Sequence, residues 1–289
     1  MALSPSELIL NPDGSIYHLN LLPGDIAPTI IVVGDPDRVS QVSSKFDVIE
    51  TRKQKREFQT HTGRLNGKRL TVISTGIGTD NIDIVMNELD ALANIDFTTR
   101  TIRKELKQLD IIRIGTSGAV QPDIPVDSFV LSEFAIGLDG LKHFYKTEDA
   151  MESSMVKAFV AQTGWAGEKA LPYAVESDKN MREELMSNRI RLGVTVTNSG
   201  FYAPQGRNLR LENSDPDMQA KLKAFNHNGM RITNMEMETS AIYLLAKLLG
   251  HRAVSMNCIL ANRSTGDFSE NSKKAVDGLI RYVLEKITS

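Results

Sequence analysis

Arg113 interrupts an otherwise apolar run, Ile111-Ile112-Arg113-Ile114, that leads straight into Gly115-Thr116-Ser117-Gly118. The pattern predicts a short buried strand ending in a turn whose backbone can approach a ligand closely. Oxyanion binding is the chemistry these residue types offer: glycines remove bulk, hydroxyls and amides donate hydrogen bonds, and a guanidinium grips phosphate at two points. An edge-facing arginine before an ordinary glycine turn is the plainer alternative. The arrangement recurs at Thr29-Ile30-Ile31-Val32-Val33, which ends in Gly34-Asp35-Pro36-Asp37-Arg38. There Asp35 or Asp37 can cap a helix with Pro36 in its first turn, aiming free amides at an anion. Recurrence of one pattern weighs against a merely solvated Arg38. A third strand, 70–74, ends at Thr75-Gly76-Ile77-Gly78.

Two later stretches carry other chemistry. Residues 198–207 are rich in turn formers yet hold Phe201, Tyr202, Gln205 and Arg207. An aromatic offers a stacking face to a flat heterocycle, Gln a donor and an acceptor to an amide-like edge, and Arg donors to carbonyl oxygens. Loops of this composition are more often structural. Asn234-Met235-Glu236-Met237-Glu238-Thr239 precedes Ala241, Leu244, Leu245 and Leu248, an apolar helical face closed by Gly250. Acidic residues at a helix start commonly complement its dipole. A carboxylate aimed into a cleft can instead accept hydrogen bonds from vicinal sugar hydroxyls, a role that suits Glu238. His18, beside apolar neighbours, reads on residue type alone as a structural histidine. The basic run 52–56 reads as a solvated face.

The elements that must position these groups alternate between strand and helix. Residues 58–65 and 70–74 form a hairpin about Asn66-Gly67, and Ile82, Val85, Met86, Leu89, Leu92 and Ala93 recur at helical spacing. Further strands are expected at 129–131, 192–197 and 254–261, helices at 151–161 and 272–287, and mostly loop at 138–149. Such alternation implies an α/β fold whose strand-end loops form the site. A chain of 289 residues suffices for one large domain, and no boundary divides 1–289 convincingly. Lys and Arg number 34 against 36 Asp and Glu, so the net charge of -2 gives no field for nucleic acid or an anionic membrane. The single cysteine, Cys258, excludes an intrachain disulfide and lies in an apolar run, as a buried thiol in a reducing cytoplasm would. No apolar run approaches the ~20 residues needed to span a bilayer, and no export signal opens the chain.

Taken together, Gly34-Asp35-Pro36-Asp37-Arg38, Arg56-Glu57-Phe58, Ser74-Thr75-Gly76-Ile77-Gly78, Arg113-Ile114-Gly115-Thr116-Ser117-Gly118, Phe201-Tyr202, Gln205-Gly206-Arg207 and Glu236-Met237-Glu238 resemble the uridine phosphorylases of the nucleoside phosphorylase family. The resemblance runs in order from about Tyr17 to Arg263. It implies a single α/β domain around a mixed, barrel-like central β-sheet flanked by α-helices, with the active site shared between two subunits. The implied reaction is reversible phosphorolysis of uridine to uracil and ribose 1-phosphate, with deoxyuridine and thymidine left open as substrates, a pentosyl transfer in pyrimidine salvage with inorganic phosphate as co-substrate and no required cofactor. By the resemblance, phosphate falls to Gly34, Arg38, Arg113 and Thr116, with Arg56 reaching in from a partner subunit. Ribose falls to Met237 and Glu238 with Glu236 beside them, and a partner's His18 approaches the 5'-hydroxyl, which replaces the structural reading of that histidine. Uracil falls to Gln205 and Arg207, with Phe201 against the ring, Arg263 behind, and Ser117 lining the sugar and base region. Arg113, Arg207, Gln205 and Glu238 carry the catalytic roles. A homodimer is the minimal active unit implied, with a homohexamer left open.

Two departures from the family pattern stand out. The potassium ion of bacterial relatives is held by a glutamate, an isoleucine carbonyl and a serine; Glu57 and Ile77 match, whereas Asn81 takes the serine's place with an amide oxygen that can still ligate. The base loop reads Ala203-Pro204-Gln205-Gly206-Arg207 where many relatives have Pro-Gly-Gln-Glu-Arg. Stretches 98–109 and 138–150 have no clear counterpart. The competing readings are a purine nucleoside phosphorylase or nucleosidase of the same fold, and a non-catalytic nucleoside-binding protein. Purine enzymes place a Ser-Asp pair after the last strand to protonate N7, and here that place reads Asn262-Arg263. A hydrolase has little use for Arg38, Arg56 and Arg113 together, and a storage protein would be expected to have lost one of them.

Overall fold

The computed structural model describes residues 2–147 and 152–289. The N-terminal part runs β1 (Thr29–Val33), α1 (Pro36–Ser43), β2 (Val48–Lys55), β3 (Phe58–Leu65), β4 (Lys68–Ser74), α2 (Thr79–Asn94), β5 (Ile95–Asp96) and β6 (Thr101–Ile102). The middle holds β7 (Asp110–Ala119), β8 (Phe129–Gly137), α3 (Ser153–Thr163), β9 (Tyr173–Glu176), α4 (Lys179–Leu185) and β10 (Ile190–Thr197). The chain closes with α5 (Met218–Ala224), β11 (Asn226–His227), β12 (Met230–Glu236), α6 (Thr239–Leu249), β13 (Arg252–Asn262) and α7 (Ser272–Thr288).

Five strands close on themselves. β7 pairs with β13, β13 with β8, β8 with β10, β10 with β12, and β12 returns to β7. Three of these ladders are parallel and two, β13–β8 and β12–β7, are antiparallel, so the sheet is mixed and barrel-like, and β1, β4, β3 and β2 extend it from β7. The unbroken β-branched run of β1 follows from burial on both faces. Ile30 and Val32 pack with the apolar stripes of α2 and α6, while Ile31 and Val33 pack with α1, α4 and α7. Cys258 sits in that second core, fully buried.

Several sequence expectations change at this level. The Gly115-Thr116-Ser117-Gly118 stretch is not a turn; β7 continues through it to Ala119 in register with β13 from Asn257 to Asn262, with one register shift. Nor is Arg113 at an edge, because β7 lies between β1 and β13. The basic run lies in β2 up to Lys55, with Arg56 in the turn that follows; β2 is an edge strand whose residues alternate exposed and half-buried, so only alternate side chains face solvent. Strand 129–131 extends to Gly137 by pairing with β10 and β9. The helix expected from 151 begins at Ser153, and the ends of the expected loop 138–149 and helix 151–161 fall partly on 148–151, outside the described residues. Stretch 98–109 contributes the small β5–β6 ladder and Arg100, whose guanidinium donates to the carbonyls of Leu3 and Ser4 at 3.0 Å each.

Candidate active site

Strand ends and the starts of α1, α2 and α6 converge on a cavity of about 840 Å³. At its floor lies Arg113, which is 5% exposed. Its Nη1 donates to Asn257 Oδ1 at 2.8 Å on the neighbouring strand β13, and its Nη2 meets Glu238 Oε2 at 2.5 Å and Glu236 Oε2 at 3.1 Å. Burial opposes this charge, and the two carboxylates more than restore it, holding the guanidinium pKa above its ordinary value. Gly115 makes room for the arrangement: a Cβ there would stand 1.7 Å from Arg113 Nη1. The glycine that suggested a turn serves clearance.

Arg38 enters from α1. Asp35 caps that helix, accepting from Asp37 N–H at 2.9 Å, and Pro36 opens it, so Arg38 falls in the first turn as expected. Its Nη1 points to Ile114 O at 3.5 Å, and burial, with Arg113 close by, depresses its pKa. Gly34 lines the same corner, where a Cβ would touch Gly76 O at 3.4 Å; Thr116 and Ser117 face it from β7. Two guanidinium groups and two packed strand ends therefore frame one concave corner, which suits a small dianion.

Across from it stand the carboxylates. Glu238 occupies the N-cap position of α6 and accepts from Gly78 N–H at 2.9 Å, where Gly78 has a φ of 96° that favours glycine. Burial raises its pKa, Arg113 opposes the shift, and Glu236 adds to it. Glu236 lines the cavity beside Met237 and Glu238, but its carboxylate is held within the protein. Its oxygens accept from Thr197 Oγ1 at 2.7 Å, Glu238 N–H at 3.0 Å, Thr239 N–H at 2.9 Å and Thr239 Oγ1 at 2.9 Å. With Arg113 as well, its acceptor capacity is spent inside the protein. Glu236 thus supports Arg113 and the start of α6 while lining the cavity together with Met237 and Glu238.

The third wall is the loop after β10. Gln205 is buried, whereas Phe201 is half exposed at the rim. Arg207 lies 3.8 Å over the Phe201 ring and donates to Phe201 O at 2.7 Å and Gln205 Oε1 at 2.6 Å. Burial, with Arg263 adding repulsion, lowers the Arg207 pKa to about 10. Arg263 is not on the lining; it donates to Gly206 O at 3.3 Å from behind. Gln219 of α5 fixes the loop by donating to Gln205 O at 2.7 Å, and its side chain fills the space a Cβ on Gly206 would need. Ser117 Oγ accepts from Asn234 Nδ2 at 2.9 Å. Leu260, Ala261 and Phe268 supply an apolar flank.

Sequence reasoning missed Asn257, Gln219 and Phe268. Each is a single unremarkable residue until strand and helix pairing is known. Besides Arg263, two further expected residues, His18 and Arg56, do not line this cavity. His18 Nδ1 lies 2.6 Å from Glu88 Oε1, and Arg56 sits at a φ of 54° in the β2–β3 turn. Glu57 and Asn81 meet at the rim, with Asn81 Nδ2 3.2 Å from Glu57 Oε1 and Ile77 exposed beside them. Turning that amide over would present two oxygens to a monovalent cation, so the residues fit one.

An oxyanion corner, a carboxylate at a helix start and an amide-and-arginine wall in one α/β cavity define a glycosyl-transfer site. The chain belongs to the phosphorylase superfamily, whose family model matches residues 28–287. It is 30% identical to the uridine phosphorylase of Thermococcus kodakarensis over 91% of this chain and 83% of that one. It is 28% identical to the uridine phosphorylase of Escherichia coli, with 93% and 96% covered. Among solved structures it resembles a Trypanosoma brucei nucleoside phosphorylase described as showing uridine phosphorylase activity. That match has a TM-score of 0.87 and 28% identity, and covers 98% of this chain and 100% of that one.

Proposed function

We propose that this protein catalyses the reversible phosphorolysis of uridine to uracil and ribose 1-phosphate. The observation that carries the reading is the buried Arg113, shared by Glu236 and Glu238, beside Arg38 and opposite Gln205 and Arg207 in a single cavity. Phosphate bound by Arg38, Arg113 and Arg56 of the partner subunit attacks C1' as the C1'–N1 bond breaks. Positive charge then builds on the sugar ring, and the adjacent dianion stabilises it. Glu238 accepts from the ribose hydroxyls and so places C1' over the nucleophile. Gln205 and Arg207 donate to the carbonyl oxygens of the departing uracil, drawing off its negative charge. No covalent enzyme intermediate and no organic cofactor enter this step; Glu57, Ile77 and Asn81 would hold a potassium ion, which would serve a structural role at the subunit boundary.

The purine reading is disfavoured by Asn262. Its Nδ2 donates to Gln121 O at 2.9 Å and Ile124 O at 2.8 Å, and its Oδ1 accepts from Ser264 N–H at 2.8 Å. Asn262 therefore pins a turn, and no acid stands there to protonate a purine N7. A water-using nucleosidase leaves the arginines without a task. We place the enzyme in the cytoplasm, in pyrimidine nucleoside salvage, acting as a dimer or a ring of dimers. No helix among the described residues is long and apolar enough to cross a membrane. Phosphorus NMR tests the reaction directly: on adding uridine, the inorganic phosphate signal is expected to give way to a sugar 1-phosphate signal. Release of uracil with the phosphate signal unchanged would refute it.

A further inference from the structure

Glu88, on α2, has no part in the site described above, yet it holds the His18 segment by every group within reach. Its two oxygens accept from His18 N–H at 3.1 Å each, Oε2 accepts from Leu19 N–H at 2.9 Å, and Oε1 lies 2.6 Å from His18 Nδ1. A carboxylate only accepts, so the Nδ1 of His18 carries the proton. The Nε2 of a neutral ring is then a bare acceptor, and it has no hydrogen-bond partner among the described residues. The His18 side chain is 26% exposed against 13% for Glu88, which leaves the ring accessible and its support shielded.

The rest of the mount is equally fixed. The Tyr17 ring stands edge-on to the imidazole at 4.8 Å, and Lys55 Nζ lies 4.3 Å over the Tyr17 ring. Lys55 also donates to Asn11 Oδ1 at 2.9 Å and to Tyr17 O. This ties the His18 segment to the end of β2, directly before Arg56. One rigid unit therefore carries both groups assigned to a neighbouring subunit.

We propose that Glu88 is a positioning residue that fixes the Nδ1-protonated tautomer of His18, making Nε2 an acceptor for the 5'-hydroxyl of a nucleoside bound in the neighbouring subunit. The inference rests on the uridine phosphorolysis reading and adds a selectivity to it: nucleosides with a free 5'-hydroxyl are favoured over 5'-deoxy analogues. Loss of one such hydrogen bond lowers kcat/KM roughly tenfold.

The test compares kcat/KM for uridine and 5'-deoxyuridine in wild type, Glu88→Gln, Glu88→Asp, His18→Ala and the Glu88→Gln/His18→Ala double variant. Wild type is expected to favour uridine about tenfold. In Glu88→Gln the new amide can donate to Nδ1 and release the tautomer, so the preference collapses to within about twofold while 5'-deoxyuridine turnover holds. Glu88→Asp, still only an acceptor, restores part of it, and the double variant falls no further than His18→Ala. Melting temperatures separate a folding defect from these changes. A wild-type preference retained in Glu88→Gln, or an equal loss on both substrates, overturns the proposal. So does wild-type turnover of uridine without any preference, which leaves phosphorolysis itself standing. Absence of uridine phosphorolysis altogether overturns the site reading as well.

Discussion

Arg113 shows how far a single residue type can be read. A permanent cation inside an apolar run requires partners, but residue type did not name them: Glu236 and Glu238 read as helix-start or sugar groups, and their place and that of Asn257 beside Arg113 depend on how β12 and β13 pair with β7. Gly115 was legible as a glycine but not for its reason. Because a Cβ at that position would stand 1.7 Å from Arg113 Nη1, Gly115→Ala is expected to displace the guanidinium. A shift of about 1 Å in such a group costs on the order of 10²-fold, so kcat/KM for phosphate should fall by that factor, read from a phosphate titration. Arg207→Ala is expected to lower uridine turnover by roughly 10²-fold or more, because it removes a donor to the leaving base; unchanged rates refute the base assignment. The buried Cys258 thiol is pushed up to about 12, so it stays protonated at neutral pH. Iodoacetamide should therefore leave the native protein unlabelled at pH 7 and alkylate it after unfolding, as mass spectrometry would show.

At the scale of elements, the long signals were readable and the short ones were not. The run 29–33, the hairpin about Asn66-Gly67 and the periodic stripe of α2 all lie where the residues place them, because burial on two faces, turn chemistry and helical spacing leave distinct marks. β9 spans 4 residues, and α4 and α5 span 7 each, too short to establish a period. These short pieces still shape the site, since α5 provides Gln219. The misread turn at 115–118 has a physical source: a strand that closes a barrel beside a large side chain needs small residues, and their spacing mimics a turn. The cap of α1 gives this scale its prediction. Asp35→Ala removes the acceptor for Asp37 N–H and should cost about 1 kcal/mol, a fall in melting temperature of about 2–4 °C by calorimetry. KM for phosphate should rise with it, because Arg38 sits in the turn that loosens.

For the whole molecule, the barrel sets three walls of one cavity within a single chain and leaves His18 and Arg56 off them. If both complete a neighbour's site, Arg56→Ala and Arg113→Ala variants are each nearly inactive, yet mixed dimers hold one intact site in two. Refolding an equal mixture should then recover about a quarter of wild-type activity by random pairing. No recovery in a mixture shown by light scattering to form dimers contradicts a shared site. The central claim, a cationic corner that presents inorganic phosphate to the sugar of a pyrimidine nucleoside, is tested most directly by free-base release from a nucleoside panel with and without phosphate. Uracil is expected to leave uridine only when phosphate is present, and adenosine to remain nearly intact. Equal uracil release in phosphate-free buffer, or adenosine as the preferred substrate, would contradict it.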